Sequence, residues 1–268
     1  MADTNIHPTA IVEDGASVGA GAKIGPYCVI GREVSLGEGV ELQSHVVVAG
    51  RTTIGARCKL FPFASIGHQP QDLKFHGESS TLTIGADCII REGVTMNPGT
   101  EGGGMKTVIG DGCAFLANSH VGHDCVVGNN VIFSNNVMLA GHCTVHDFAI
   151  IGGGAAVIQF ARVGAHSFIG GMSGLENDLI PYGMALGNRA YLSGLNIVGL
   201  QRRGFSREAI HDLRRAYRLL FANEGTLKER VDDVALEFAG HSTVEEILAF
   251  IREGGKRSLC TPRDGLGG

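Results

Sequence analysis

Residues 118–125 read NSHVGHDC: His120 and His123 lie three apart, and Asp124 and Cys125 follow at once. Four kinds of behaviour fit these residue types. Imidazoles with a carboxylate and a thiolate could hold a metal ion. A cysteine beside a histidine could be an activated nucleophile. A histidine with an adjacent aspartate could be a general base and the group that orients it. The fourth reading is a polar patch on a core element. The local string leaves all four open, so the choice depends on the elements that position it.

Those elements announce themselves as a repeat of six. Stepping by six from Val12 gives Val12, Val18, Ile24, Ile30, Leu36, Leu42, Val48, Ile54, Leu60 and Ile66, all aliphatic. The phase returns at Ile84, Ile90 and Met96, slips by one residue across Glu101-Gly102-Gly103-Gly104, and then runs from Ile109 to Ile169. Four places after the aliphatic position stands a mostly small residue, such as Ala16, Cys28, Cys113 and Ser119, and glycine often follows the aliphatic one, as in Val18-Gly19 and Ile54-Gly55. Helices repeat near 3.6 and strands near 2, so neither explains a period of six. One side of a triangular coil does: a short strand, then a turn. The aliphatic residue points inward, the small one sits inside near a corner, and glycine relieves the turn backbone. Three hexads make one coil, and the 24 hexads make eight, a prism roughly 38 Å tall at ~4.8 Å per coil. The pattern predicts a parallel β-helix over residues 1–190 and is silent on its hand. Glycine, 41 of 268 residues, is about twice its usual share, as many tight turns require.

Two stretches break the pattern: residues 67–83, GHQPQDLKFHGESSTLT, and residues 100–106, TEGGGMK. Loops extruded from a rigid scaffold are where function concentrates. After residue 190 the character changes. Ser206 is placed to cap a helix with Ile210, Leu213, Tyr217, Leu220 and Phe221 on one face; Thr226 with Glu229, and Thr243 with Glu246, have capping-box spacing. This gives a second region, residues 191–268, helical and ending in a flexible tail, LCTPRDGLGG.

The formal net charge of −5 argues against a nucleic-acid partner. No run of 18 apolar residues exists to form a transmembrane segment, and the opening MADTNIHPTA has neither the basic nor the apolar part of a secretory signal. Six of the seven cysteines (Cys28, Cys58, Cys88, Cys113, Cys125 and Cys143) fall in the small-residue slot. They read as core residues, which removes the nucleophile reading of Cys125. With no CxxC pair, a reduced, cytoplasmic setting is expected. His120, His123 and His142 lie outside the aliphatic slot about one coil apart, so they should cluster on an outer face. A flat face is not a pocket. Prisms packed side by side create clefts, and a three-sided prism suits a cyclic trimer.

The strings His7-Pro8-Thr9-Ala10, Gln71-Asp72-Leu73-Lys74, NSHVGHDC, Leu139-Ala140-Gly141-His142, DFAIIGG from Asp147, Gln159-Phe160 and RRGFSREAI from Arg202 together resemble one family. It is the bacterial UDP-N-acetylglucosamine acyltransferases, which open lipid A synthesis. The resemblance runs in order through nearly the whole chain. It implies a left-handed parallel β-helix of hexapeptide repeats with a small C-terminal α-helical region. It also implies a cytosolic homotrimer, without cofactor or metal, that moves a 3-hydroxyacyl group from acyl carrier protein to the 3-position of the UDP-sugar. By the same resemblance His123 is the general base, Asp124 orients it, and the Gly141 N–H stabilises the oxyanion. Asp72, Lys74, His120 and His142 bind or position substrate. Gln159, Asn196, Arg202 and Arg203 lie on the nucleotide side, and Gly171 limits acyl length. Arg207, Arg214 and Arg215 could help dock the acidic carrier.

Asn97 and Ile158 stand where family members often have histidine, Arg189 where histidine is common, and Val198 where glutamate is common. The departures leave open whether the acceptor is the 3-hydroxyl or a 3-amino analogue. Besides a catalytically idle solenoid used for binding, two other readings compete. The N-acyltransferase of the next acylation stage needs an N-terminal uridine-binding domain, and the hexads here begin by Val12. A γ-type carbonic anhydrase would put zinc on three interfacial histidines, with His120, His142 and His146 as candidates, but leaves Arg202-Arg203 without a purpose.

Overall fold

Each hexad folds as a two-residue strand followed by a turn, and every strand pairs in parallel with the strand one coil away. The computed structural model describes residues 3–263 of the chain. It is a three-sided left-handed β-helix with four helices after it. The first face begins at Asn5–Ile6, the second at Ile11–Val12 and the third at Ser17–Val18. They hold 11, 9 and 8 strands. The repeat extends one strand beyond the expected hexads at each end, to Asn5–Ile6 and to Gly174–Leu175.

The second residue of each strand points inward. Ile30, Leu60, Ile90, Phe115, Val121 and Leu139 are all fully buried, with the small-slot residues Cys28, Cys58, Cys88 and Cys125 between them. Burying each large aliphatic side chain contributes roughly 1.5–3 kcal/mol.

The glycines work differently from expectation. Gly19 and Gly55, which follow the aliphatic residue, do not take left-handed backbone. They sit where coils touch: a methyl group on either would come 2.5 Å from the carbonyl carbon of the glycine one coil on, Gly37 or Gly85. The left-handed corner position lies three places after the inward residue; glycine takes it at Gly21, Gly39, Gly93, Gly112 and Gly154, and elsewhere larger residues do, among them Tyr27, His45, Asp124, His142, Phe148, Phe160 and His166, with φ between 57° and 68°. Such a conformation costs roughly 1–2 kcal/mol per residue. Hydrogen bonds between coils offset it: the N–H of His142, Phe148, Phe160 and His166 each donates to a carbonyl of the preceding coil.

Both interruptions leave the prism at the corner between the second and third faces. Strand Ser65–Ile66 ends the second face before the first loop, and Thr95–Met96 ends it before the second; the chain rejoins the third face at Thr81–Ile84 and Lys106–Ile109.

The sheet also outruns the expected boundary at residue 190. Strand Gly183–Leu186 joins the first face, and Tyr191–Leu195 turns back antiparallel beside it. The helices are α1 (Ile197–Arg202), α2 (Arg207–Leu220), α3 (Leu227–Glu237) and α4 (Ser242–Glu253). Ser206 caps α2, and Thr226 with Glu229 forms the expected capping box of α3. The third box is absent: α4 starts one residue before Thr243, and Glu246 accepts the Tyr182 hydroxyl instead.

The segment expected to be a flexible tail is ordered through residue 263; residues 264–268 lie outside the described residues. Leu259 bridges to Asp178, the Cys260 N–H donates to the Asp178 carbonyl, the Leu192 N–H donates to Thr261, and Cys260 is buried. Asp178 is thereby enclosed, its carboxylate held by Arg162 through backbone N–H and Nε at 2.9 and 2.7 Å. Among the described residues no helix is long and apolar enough to cross a membrane.

Candidate active site

The corner between the second and third faces stacks Asp124, His142 and Phe160 in the same left-handed position of successive coils. His123 precedes Asp124, and Gly141 precedes His142. The His123 Nδ1 lies 2.8 Å from Asp124 Oδ2. A carboxylate oxygen only accepts, so Nδ1 carries the proton and Nε2 is left with a free lone pair. The other edge of the ring faces Gly141 so closely that a methyl group there would fall 2.6 Å from both Cε1 and Nε2. Among the described residues no acceptor takes the Gly141 N–H.

His123 is 8% exposed and the Asp124 side chain is sealed from solvent. Asp124 is gripped from three sides. Its Oδ1 accepts the Thr100 N–H at 2.9 Å, its Oδ2 accepts the Thr100 hydroxyl at 2.6 Å, and its own N–H donates to the Thr107 hydroxyl at 2.8 Å.

His142 stands edge-on to His123, with centroids 4.8 Å apart, and stacks on Phe160 at 4.6 Å. Burial pushes its pKa below the usual imidazole value. The charges of His123 and Lys256 act in the same direction, while those of Asp124 and Asp72 oppose it. Lys256, in the segment after α4, lies over the Phe160 ring at 4.2 Å, and the Arg257 Nε–H donates to the Gln159 carbonyl.

His120 is the outward, half-buried residue of its strand. It lies on the second face in strand His120–Val121, with its Nδ1 2.7 Å from the Thr95 hydroxyl. Burial lowers its pKa, and the charge of His123 adds to that.

The remaining candidates divide among the prism's corners. Gln159 is exposed beside Phe160 on the His123 corner. Gly171 lies between Phe168–Ile169 and Gly174–Leu175, on the corner between the first and second faces. Asn196 and Arg203 lie at the third corner: the Asn196 amide donates to the His166 carbonyl and Arg203 Nη2 to the Phe148 carbonyl. Asn196 also caps α1 by accepting the Gly199 N–H. Arg202 is exposed on α1. In the first loop Asp72 Oδ1 accepts the Lys74 N–H, and Lys74 and Leu73 are exposed. The chain thus joins His123, Asp124, Gly141 and His142, and leaves Gly171, Asn196 and Arg203 at other corners.

The departures acquire physical roles. Asn97 is buried, and its amide donates to the His68 carbonyl at 3.0 Å, anchoring the start of the first loop. Arg189 pairs with Glu176, while Ile158 and Val198 are exposed. Arg207 and Arg214 are exposed on α2, whereas Arg215 pairs with Glu237 on α3.

Within one chain the histidines of the zinc reading lie apart. His146 packs against Phe250 of α4 and His120 against Thr95, so His120, His142 and His146 do not converge in a single chain. The trio that does converge, His123, Asp124 and His142, has donor atoms within 4.8 Å of one another. Its carboxylate, however, already accepts two hydrogen bonds from Thr100 and one from His123.

Thr100, Thr107, Phe160 and Lys256 were missed as site residues in the sequence reading. The coil length does place Phe160 beneath His142. Nothing in the string marks Thr100 or Lys256, whose positions depend on a loop and a returning segment.

Residues 178–260 match the family described as UDP-N-acetylglucosamine O-acyltransferase, domain 2. Residues 106–141 match the bacterial transferase hexapeptide family. The chain is 76% identical to the acyl-[acyl-carrier-protein]–UDP-N-acetylglucosamine O-acyltransferase of Methylobacterium radiotolerans over 77% of this chain and 76% of the relative. It is 52% identical to that of Rhizobium johnstonii over 98% and 97%. The solved structure of LpxA from Acinetobacter baumannii superposes with a TM-score of 0.92 at 38% identity, covering 96% of this chain and 99% of that one.

Proposed function

The chain belongs to the acyl-[acyl-carrier-protein]–UDP-N-acetylglucosamine O-acyltransferase family, and from that premise we propose how its residues carry the transfer. It is an acyltransferase of lipid A biosynthesis that moves an acyl group from acyl carrier protein to UDP-N-acetylglucosamine.

The observation that carries the mechanism is the orientation of His123: Nδ1 committed to Asp124, Nε2 free beside Gly141. Nε2 takes the proton of the sugar 3-hydroxyl as its oxygen attacks the thioester carbonyl of a 3-hydroxyacyl donor. Asp124 fixes the tautomer and stabilises the imidazolium that forms. The carbonyl oxygen becomes an oxyanion within reach of the Gly141 N–H. When the tetrahedral centre collapses, the C–S bond breaks and the imidazolium returns its proton to the departing sulfur. The products are the 3-O-acyl sugar and the free carrier thiol. His142, Asp72, Lys74 and His120 position substrate around this centre, and Gln159, Asn196, Arg202 and Arg203 serve the nucleotide.

The active assembly is a cytoplasmic homotrimer. Its support is the distribution of site residues: side-by-side packing sets a corner of one prism against a neighbour, so residues on different corners can face a shared cleft. The cytoplasm suits seven buried, unpaired thiols.

His123→Ala tests the reading. Thioester turnover should fall ~10²–10⁴-fold while the trimer stays intact, and His120→Ala should cost less. Activity within about threefold of wild type, in a folded trimer, overturns the assignment of the base. Parallel assays with the 3-hydroxy and 3-amino sugars identify the acceptor atom.

A further inference from the structure

We infer that Thr100 is a positioning residue of the transfer reaction, acting through Asp124 on His123; this rests on the assignment of His123 as base. The second extruded loop carries Thr100 just ahead of a short 3₁₀ turn, Glu101–Gly103. The loop wraps around this residue, with the Gly103 and Met105 N–H groups both donating to the Thr100 carbonyl. Thr100 is 5% exposed, although it belongs to a loop.

Its two donors are spent on one carboxylate. The backbone N–H holds Oδ1 at 2.9 Å, and the hydroxyl holds Oδ2 at 2.6 Å. His123 Nδ1 meets that same Oδ2 at 2.8 Å. One hydrogen bond from His123 would leave the carboxylate free to turn about its Cβ–Cγ bond. Attachment of both oxygens, once on Oδ1 and twice on Oδ2, sets its plane, and the plane of the carboxylate sets the direction in which the imidazole is held. Gly103 completes the cradle: a methyl group there would fall 2.0 Å from Asp124 Cγ. The loop is therefore shaped to the aspartate, and the sequence separation between Thr100 and Asp124 is bridged at the corner from which the loop leaves.

A loop anchor without influence on the reaction would use the same hydrogen bonds, so the test separates the two roles. Thr100→Ser keeps the hydroxyl and Thr100→Val keeps the shape without it. Thr100→Ser should retain activity within about threefold. Thr100→Val should lower kcat about tenfold or more with little change in KM for the sugar, because the base is misdirected rather than the substrate lost. The acid limb of its kcat/KM profile should move to higher pH. Oδ2 loses a donor that drew off its charge, so it holds protonated His123 more firmly. In an Asp124→Asn background the same Thr100→Val change should cost no more than about twofold, its route to His123 being already cut. Thr100→Val activity within about threefold of wild type overturns the inference. So does an equal loss in both backgrounds with an unmoved acid limb, which marks a loop anchor only. His123→Ala, run alongside, reports on the base itself: its failure overturns the mechanism, whereas failure of Thr100→Val alone leaves the base in place.

Discussion

His142 Nδ1 lies 3.8 Å from Asp124 Oδ2, the oxygen that His123 Nδ1 meets at 2.8 Å. Two imidazoles from adjacent coils thus approach one carboxylate oxygen, and only the nearer is hydrogen-bonded. Backbone connectivity decides between them. His123 and Asp124 share one turn, while the left-handed backbone of His142 directs its ring onto Phe160. The same stacking that brings His142 to the site keeps it from displacing the base.

The site should resist enlargement at Gly141. A methyl group there would press on the His123 ring at 2.6 Å, so Gly141→Ala must turn the ring away from its working direction. Turnover should fall about a hundredfold, the scale expected of a displacement near 1 Å, with little change in melting temperature. An unimpaired Gly141→Ala enzyme would show that the ring has slack.

The exposed Lys74 gives a test of shared sites. If its loop completes a neighbour's cleft, mixed trimers of inactive His123→Ala and inactive Lys74→Ala chains should regain partial activity, because some clefts receive both intact residues. Mixtures that never complement place the whole site within one subunit.

Acyl length should respond at Gly171. A side chain there projects from an exposed corner, with the Gly153 carbonyl oxygen 3.2 Å from a new Cβ. If the acyl chain runs along this corner in the assembled trimer, Gly171→Met adds bulk where glycine projects nothing. Each methylene kept out of it forfeits about 0.8 kcal/mol, near fourfold. Four blocked methylenes disfavour long donors by roughly two orders of magnitude, so the preference should invert toward short ones. Met172 lies exposed on the same corner, its sulfur over Gly154, where a methyl group would come within 2.5 Å. Gly171→Ala controls for the tight contact with Gly153. An unchanged order across a donor ladder counts against Gly171.

Stability should fall on acidification. Burial lowers the pKa of His120, His142 and His166, with Arg203 adding to the effect at His166 and Asp147 opposing it. The unfolded chain, with imidazoles near ~6.5, then binds protons that the folded chain refuses. Stability contributed by the neutral imidazoles is complete above that value and is lost as pH drops through it toward the lower folded values. The melting temperature should decline from about pH 7.5 to about pH 5.5, and less steeply in His166→Gln. A rise over that interval contradicts the account.

The prism was legible because a period of six admits few shapes, and the inward residues from Ile24 to Ile169 keep it on either side of the slip between Met96 and Ile109. The hand was not, since the same period serves either. His123 and Asp124 could be paired from adjacency, and Gly141 and His142 from coil length. Thr100 could not: an extruded loop has no period to place it. The tail from Leu259 was misread because Pro262 and the glycines that end the sequence suggest looseness, while its fixing partners, Asp178 and Leu192, lie far back in the chain. The glycines were misjudged because a string shows no neighbours. What limits Gly19 is the next coil, not its own backbone.

The seven free cysteines are all shut inside the protein. Six occur at intervals from Cys28 to Cys143, and Cys260 pins the returning segment. A thiol reagent in solution meets none of them until the wall beside it parts. Each sulfur is therefore a depth mark on the molecule. The order in which the marks become readable, under heat or mild denaturant, would map where the stack opens first and how far the opening travels before the whole column comes apart.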